Sequence, residues 1–181
     1  RADYYAAVAD FASAEMGMRV VLSGTLRLAT LGGGNYDIEP TDSVTWTVTT
    51  PALNEVTISG AGIIEVSDLE ADRFAARVGG AGAIDLENLS TDHLTATVDG
   101  VGDIVASGTC RSLELTLNGV GSIDTTAVTA NSGVVSIDNA GSIALTATDS
   151  LDVDAHGLGT ISVHGSPVIT GDSSRVLDLD A

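Results

Sequence analysis

The fold is decided by residues 94–123, which read LTATVDGVGDIVASGTCRSLELTLNGVGSI. This stretch contains the unit Gly-x-Gly-x-Ile twice, at residues 100–104 and 119–123, and the two copies start 19 residues apart. Apolar residues alternate with polar ones before each copy, and this period of two is typical of a strand that is buried on one face. The stretch therefore predicts two copies of one β-strand unit.

The same unit, or a close variant of it, occurs six times, at residues 60–64, 80–84, 100–104, 119–123, 139–143 and 157–161. Successive copies start 20, 20, 19, 20 and 18 residues apart. A fixed period of this length is the signature of a solenoid, in which each repeat buries its apolar face only against its neighbours. The repeat predicts an all-β, single-domain parallel β-helix (β-solenoid) built from coils of roughly 20 residues.

Two sets of positions in this unit are predicted to have structural roles. The corner residues are Gly60, Gly62, Gly80, Gly82, Gly100, Gly102, Gly119, Gly121, Asn139, Gly141, Gly157 and Gly159. The core ladder consists of Ile64, Ile84, Ile104, Ile123, Ile143 and Ile161. A corner favours glycine because its φ is positive or because stacked coils leave no room for a side chain. Asn139 supports this interpretation, since Asn tolerates the left-handed region. We also expect the middle residue of each Gly-x-Gly to point inward.

Strands are predicted on both sides of each unit, and a third, shorter segment closes the coil at residues 69–71, 89–91 and 128–130. Cys110 falls in the small-residue column of that third segment, together with Ala71, Thr91 and Ala130. We interpret it as a buried structural residue rather than a reactive thiol. A single cysteine also excludes a disulfide within the chain.

The repeats divide the predicted single domain, residues 1–181, into four parts. Residues 1–24 are a predicted N-terminal cap, residues 25–55 irregular first coils, residues 56–165 regular coils, and residues 166–181 a C-terminal cap or tail. Within the first part, residues 3–16 have the pattern of a short amphipathic helix with Asp3 as its N-cap and Gly17 as its stop. Such a helix would cover an open end of the solenoid. Residues 32–35 are interpreted as a turn.

The charge of the chain restricts its partners. The sequence has 25 acidic and seven basic residues, all of the latter arginine, and a formal net charge of −18. This charge repels phosphate backbones and anionic lipids, so we expect no nucleic-acid partner. No apolar run approaches the roughly 20 residues of a membrane-spanning helix, so no membrane span is predicted. Acidity of this kind is commonest as an aid to solubility or an adaptation to salt.

Two polar columns flank the repeated unit and are the first places to look for a metal site. They are Ser59, Gly79, Asp99, Asn118, Asp138 and His156 before it, and Glu65, Asp85, Val105, Asp124, Ala144 and Ser162 after it. Stacked carboxylates could bind calcium through oxygen, but only Asp103 approaches the spacing of a calcium-binding repeat. A solvated acidic face is the preferred interpretation. We therefore predict no metal-binding, cofactor-binding or catalytic residues, and calcium remains open as a cofactor.

A carbohydrate-active enzyme, a lyase or hydrolase, is the alternative function. Such enzymes need an acid and a base, and sugars usually stack on aromatic side chains. Asp103 and Asp124 are expected on adjacent coils, but aromatic residues make up 3% of the chain and none lies in the later repeats. His93, His156 and His164 have no recurring metal-ligand spacing, although His156 and His164 could approach each other across a corner. The sequence favours a protein that is not an enzyme.

Ice binding is a third class of function, because flat threonine faces on solenoids can bind ice. One column that could form such a face contains Thr57, Arg77, Thr97, Thr116, Ser136 and Asp154. Charged residues interrupt it, so the column disfavours this function.

The segment at residues 48–62, VTTPALNEVTISGAG, is followed by the spaced Gly-x-Gly coils and a final ISVHGSP at residues 161–167. Together they resemble the bacterial "putative auto-transporter adhesin, head GIN domain" family over residues 25–170. The resemblance implies a right-handed β-helix, exported to the periplasm, the outer surface or the extracellular space, and it carries no catalytic residues. The sequence begins at Arg1 and shows no signal pattern there, so we expect that any signal segment was removed or left out of this sequence.

The expected function is that of a non-enzymatic adhesin or scaffold surface in the cell envelope or outside the cell. Its expected partners are a cell-surface or extracellular ligand, not yet identified, and a second copy of the chain, packed through a coil edge.

Overall fold

The structure is a computed structural model that describes the backbone of residues 18–25, 27–29, 35–37, 45–50 and 53–179. Side chains are described from residue 53 onward, except that of Ser173. The predicted helix at residues 3–16 and the turn residues 32–34 lie outside the described residues. Within the described part, the regular structure is β-strand apart from one short 3-10 helix at Ser173–Arg175.

Fourteen strands follow one another along the described residues. They are β1 (Met18–Thr25), β2 (Arg27–Ala29), β3 (Asn35–Asp37), β4 (Thr45–Thr50), β5 (Glu55–Ile58), β6 (Ala61–Ser67), β7 (Glu70–Val78), β8 (Ala81–Val98), β9 (Val101–Leu117), β10 (Val120–Ile137), β11 (Ala140–Ala155), β12 (Thr160–His164), β13 (Val168–Gly171) and β14 (Val176–Asp178).

The central strands stack in chain order. β8, β9, β10, β11 and β12 each pair in parallel with the next, and each coil of about 20 residues lies directly on the one before it. Earlier in the chain, β5 pairs with β7 and β6 with β8, also in parallel. The result is a β-solenoid of about six turns. The predicted fold class is therefore confirmed.

The isoleucines of the repeated unit face the interior of the solenoid. They pair in one continuous register, from Ile64 through Ile84, Ile104, Ile123 and Ile143 to Ile161. None of the six is more than 3% exposed. Burial of an aliphatic side chain of this size stabilises the fold by about 1.5–3 kcal/mol, so this ladder makes a large contribution to stability.

The coil is more continuous than the sequence pattern suggests. The strands and the short third segment that were predicted separately merge into long strands, such as β8 with 18 residues and β9 with 17. Bends within these long strands are marked by shifts in the pairing register, for example between Leu86 and Leu89. Left-handed residues mark two further points of the coil, Asp68 and Asn88, whose φ angles are 57° and 60°. Pairing survives each bend because the hydrogen bonds run between coils, along the solenoid axis, and not across the bend.

The middle residues of the Gly-x-Gly units point outward, so that prediction was wrong. Val101 is 60% exposed, Val120 52% and Leu158 83%. The reason is the strict period of two: each middle residue lies three positions before a buried isoleucine, so the two must be on opposite faces. These positions form an exposed apolar column beside the corner.

Corner glycines are required chiefly by the closeness of the stacked coils. A Cβ atom on Gly102 would lie 1.8 Å from the carbonyl oxygen of Gly82. The left-handed interpretation of Asn139 was wrong, since the non-glycine residues with positive φ in the described part are Asp68 and Asn88. Asn139 instead donates a hydrogen bond from its side-chain amide to the carbonyl oxygen of Asn118. Its side chain therefore ties this corner to the previous coil.

The two ends of the solenoid are built differently. At the N-terminal end, β1 pairs antiparallel with β6, and β4 pairs antiparallel with β1. At the other end, β13 pairs with β11 and β14 with β12, both in parallel. A pair of antiparallel strands therefore lies along the edge of the first coil, where an open sheet edge would otherwise invite further pairing.

Candidate ligand-binding trough

Stacking in register turns outward-facing residues into straight columns along the solenoid. One column contains Arg73, His93, Ser112, Ser132 and Ser150. The column beside it contains Ala75, Thr95, Glu114, Val134, Asp152 and Thr170. We call the surface formed by these eleven residues the trough. It crosses several coils and runs parallel to the solenoid axis.

Two depressions lie along the trough. One has a volume of about 610 Å³ and extends towards Asn54 and Arg73, and the other has a volume of about 470 Å³ and extends towards Thr170. His93 and Glu114 line both of them. The two depressions therefore meet at this pair of side chains and form one elongated surface feature.

His93 contacts both columns, through a hydrogen bond with Ser112 and through an approach to Glu114 that is an ion pair only when the ring is protonated. Its Nδ1 atom lies 2.7 Å from Ser112 Oγ, and its Nε2 atom lies 3.4 Å from Glu114 Oε2. Ser112 Oγ also lies 3.3 Å from the carbonyl oxygen of Asp92, to which it donates. Which of Nδ1 and Ser112 Oγ donates in their contact therefore depends on the tautomer of the ring. The side chains of His93 and Glu114 are 33% and 53% exposed. Both can therefore contact a ligand.

The order hydroxyl, imidazole, carboxylate also occurs in enzymes that use a serine nucleophile. Those enzymes need backbone or side-chain donors aimed at the developing oxyanion as well. Ser112 lies in β9, which pairs with β8 on one side and β10 on the other. Its neighbouring backbone N–H groups are therefore engaged between coils, and the cluster is better suited to hydrogen bonding than to acyl transfer.

A second group of charged residues follows the corner column predicted before the Gly-x-Gly units. Arg77 Nη2 lies 2.6 Å from Asp99 Oδ2, an ionic contact without hydrogen-bond geometry, and Asn118 donates to Asp99 Oδ1 at 2.8 Å. Further along, His156 Nδ1 lies 2.9 Å from Asp154 Oδ1 and 3.8 Å from Asp138 Oδ1. Each of these aspartates therefore has a neighbour that donates a hydrogen bond to it or that can carry the opposite charge.

The column predicted after the isoleucine ladder also forms in register, from Glu65 to Ser162. Asp103, the residue closest to a calcium-binding spacing, has Ala83 and Ser122 as its neighbours on adjacent coils. Ser122 donates to Asp103 Oδ1 from its backbone nitrogen at 3.0 Å and from its hydroxyl at 2.6 Å. The carboxylate of Asp103 is therefore engaged by local donors.

Asp124 lies one coil beyond Asp103, opposite Val105, so the two aspartates are on adjacent coils as expected. Asp124 Oδ1 accepts hydrogen bonds from the nitrogen and hydroxyl of Thr126. In the part of the chain with described side chains, no group of three or more His, Cys, Asp or Glu residues is arranged to hold a metal ion.

Cys110 is buried, and its neighbours in register are Thr91 and Ala130, so its predicted column is confirmed. Its Sγ atom lies 2.9 Å from the carbonyl oxygen of Ser112 and donates to it. Burial raises the pKa of the thiol, which keeps it protonated and unreactive near neutral pH.

Sequence reasoning did not find the trough, although a signal for it exists. Ser112, Ser132 and Ser150 recur 20 and 18 residues apart, close to the period of the Gly-x-Gly unit. A second missed feature is the bend at Asp68 and Asn88, each followed by leucine and again 20 residues apart. Alignment of the repeats at those positions would have revealed the serine column and the bend, but not the depression beside the serines.

A family model described as "Putative auto-transporter adhesin, head GIN domain" matches residues 13–167. Comparison with curated proteins and with solved structures finds no match. The matched range contains all six Gly-x-Gly units and most of the trough. Among the described residues, there is no helix long and apolar enough to cross a membrane.

Proposed function

Because this chain belongs to the family described as "Putative auto-transporter adhesin, head GIN domain", we propose that it is a non-enzymatic binding module that holds a cell-surface or extracellular ligand in the trough. The family description indicates an adhesin-like head domain and a cell-surface or exported protein. The finer location, in the periplasm, on the outer surface or outside the cell, belongs to the proposal.

The trough is the observation that carries this proposal. It is elongated and open, whereas sites for small molecules enclose most of their ligand. Its walls offer hydroxyl groups from Ser112, Ser132 and Thr170, carboxylates from Glu114 and Asp152, and the imidazole of His93. A ligand that lies along several coils would gain many modest contacts from a surface that the paired strands hold in place.

A carbohydrate-active enzyme remains the second candidate, and one observation favours it. Glu114 and Asp152 occupy the same trough column, separated by Val134. Two coil spacings of ~4.8 Å place their backbones about 10 Å apart, near the separation of the two carboxyl groups of an inverting glycosidase. However, these enzymes place the acid and base on opposite sides of the bond that is cleaved, and both residues here lie in one column.

Adhesion by beads coated with the protein tests the proposed function. Ser132→Tyr places a large ring in the trough, and Ser142→Tyr places the same ring at an exposed position of a different column. Coated beads are incubated with whole bacterial cells and with immobilised extracellular polymers, and retention under flow is measured. We expect parent and Ser142→Tyr beads to be retained and Ser132→Tyr beads to be released. Equal retention of both variants would contradict a role for the trough.

Self-association through a coil edge is part of the same proposal. β4 and β14 are the first and last strands in the order of the main sheet, and terminal strands are templates for pairing with another chain. Light scattering across a range of protein concentrations should show a rise in mass. A constant monomer mass up to high concentration would remove self-association from the proposal.

A further inference from the structure

We propose that the ligand of the trough is a linear glycan of neutral or amino sugars that lies along the solenoid axis. This inference rests on the proposed function, since it names the class of ligand that the same surface would hold. Four properties of the trough lead to it: its repeat distance, its chemical groups, its charge and the pairing of its backbone.

The repeat distance of the trough favours a polymer of sugars. Ser112, Ser132 and Ser150 are direct partners on three successive coils, so the same hydroxyl recurs at the coil spacing of ~4.8 Å. One pyranose unit of an extended glycan advances by a similar length. Successive sugars could therefore meet equivalent hydroxyl groups, which a compact ligand could not do.

The chemical groups of the trough suit sugar hydroxyl and amino groups. Glu114 and Asp152 accept hydrogen bonds through their carboxylates, and serine hydroxyls both donate and accept. Val134, which lies between these two carboxylates in register, is 52% exposed and offers an apolar contact for one face of a ring. Thr170 donates to Asp152 Oδ1 at 3.2 Å, which holds that carboxylate in place.

The charge of the later part of the trough and of the whole chain disfavours acidic glycans, and Arg73 is at the other end of the trough. The later part of the trough contains Glu114 and Asp152, and the formal net charge of the chain is −18. Uronates, sulfated sugars and phosphate polymers would be repelled. Sugars with a free amino group carry a positive charge and would be attracted, so their binding should weaken as salt concentration rises.

An extended peptide fits the trough less well than a glycan. A peptide strand is normally captured at an unpaired sheet edge, which supplies its backbone hydrogen bonds. The floor of the trough runs from β7 to β13, and β8, β9, β10 and β11, which make most of it, each pair with a neighbour on both sides; β13, at one end, pairs only with β11. A peptide there would have to leave its own backbone without partners from the sheet.

Titration calorimetry with three hexasaccharides tests the inference. The probes are the hexamers of N-acetylglucosamine, of glucosamine and of galacturonic acid, which are neutral, cationic and anionic. We expect the full chain to bind at least one of the first two and not the third. Ser132→Tyr should abolish binding, Glu114→Gln should weaken it about tenfold, and Ser142→Tyr should leave it unchanged. Circular dichroism confirms that each variant is folded.

The inference is overturned if neither the neutral nor the cationic hexamer binds, if the anionic hexamer binds best, or if Ser132→Tyr binds as well as the parent. Bead adhesion separates this failure from failure of the proposed function. If beads still adhere through the trough while no glycan binds, the ligand belongs to another class and the binding function stands. If adhesion does not depend on the trough, both proposals fail together.

Discussion

At the scale of single residues, glycine has two different roles in the coils. At Gly102, an added Cβ atom would meet the backbone oxygen of Gly82 at 1.8 Å. At Gly133, which is buried between Leu113 and Leu151 in register, an added Cβ would meet only the ends of leucine side chains, at 3.0 and 3.3 Å. A backbone atom held by pairing cannot move aside, whereas a leucine methyl group can.

Alanine substitutions at these two glycines should therefore have very different effects. We expect Gly102→Ala to lower the free energy of unfolding by more than about 3 kcal/mol. Gly133→Ala should change it by less than about 1 kcal/mol, because a lower entropy of the unfolded chain offsets slight crowding. Urea unfolding of both variants measures the difference. Similar destabilisation by the two substitutions would contradict the distinction.

Outward and inward orientation can be tested with one charged residue at two nearby positions. Ile104 is 0% exposed and Val101 is 60% exposed. Ile104→Asp buries a carboxylate with no partner, and we expect a loss of more than about 4 kcal/mol or an aggregated product. Val101→Asp should change stability by no more than about 0.5 kcal/mol. If Val101→Asp also fails to fold, the outward orientation of the middle residue is wrong.

At the scale of elements, stacked strands bring like charges close together. In the corner column, an amide and an arginine reduce the repulsion between aspartates on neighbouring coils. Asn118 lies between Asp99 and Asp138 in that column, and its amide donates to Asp99 at 2.8 Å. Arg77 contacts the other oxygen of Asp99 at 2.6 Å. Stacking at the coil spacing makes the residue type at each position depend on its neighbours one coil away.

Replacing the amide of Asn118 with a carboxylate should destabilise the solenoid in a salt-dependent way. Asn118→Asp removes the donor to Asp99 and adds a like charge beside it, which should cost about 1 kcal/mol at low salt. Added sodium chloride should reduce the loss, because exposed charges are screened. Asn118→Ala is the matched control, since it removes the hydrogen bond without adding charge. Thermal melts in which both variants show the same salt dependence would refute the electrostatic explanation.

At the scale of the whole molecule, the solenoid combines an apolar interior with an acidic exterior. The formal net charge of the chain is −18, and the outward carboxylates of Asp103 and Asp124 already have local hydrogen-bond donors. Self-repulsion of this charge opposes the compact state. Cations should therefore stabilise the fold by screening, without a dedicated site.

Thermal melts in different salts distinguish screening from specific binding. We expect Tm to rise with sodium chloride and to be the same in calcium chloride and magnesium chloride of equal ionic strength. A chelator should have no effect. An additional rise with calcium that is lost in Asp103→Ala would show that the acidic columns bind calcium, contrary to the expectation from local hydrogen bonding.

Much of this architecture could be predicted from the sequence because the solenoid repeats a local pattern. The spacing of Ile64, Ile84 and Ile104 predicts both their stacking and their burial. The error at Val101 arose because the middle residues are apolar in every copy and were placed inside for that reason, whereas the alternation of the strand places them outside. The error at Asn139 arose because two causes of glycine preference, left-handed φ and lack of space, produce the same sequence pattern.

The repeat follows from the amino-acid sequence alone: the solenoid class, the period of about 20 residues and the inward-facing isoleucines all depend on local spacing. Which outward columns lie side by side, and where the surface between them is depressed, depends on the folded structure. His93 and Glu114 are 21 residues apart in the chain, yet Nε2 and Oε2 approach to 3.4 Å. That contact depends on the register between coils and on the bends within each coil, and these are set by the packing of the whole solenoid.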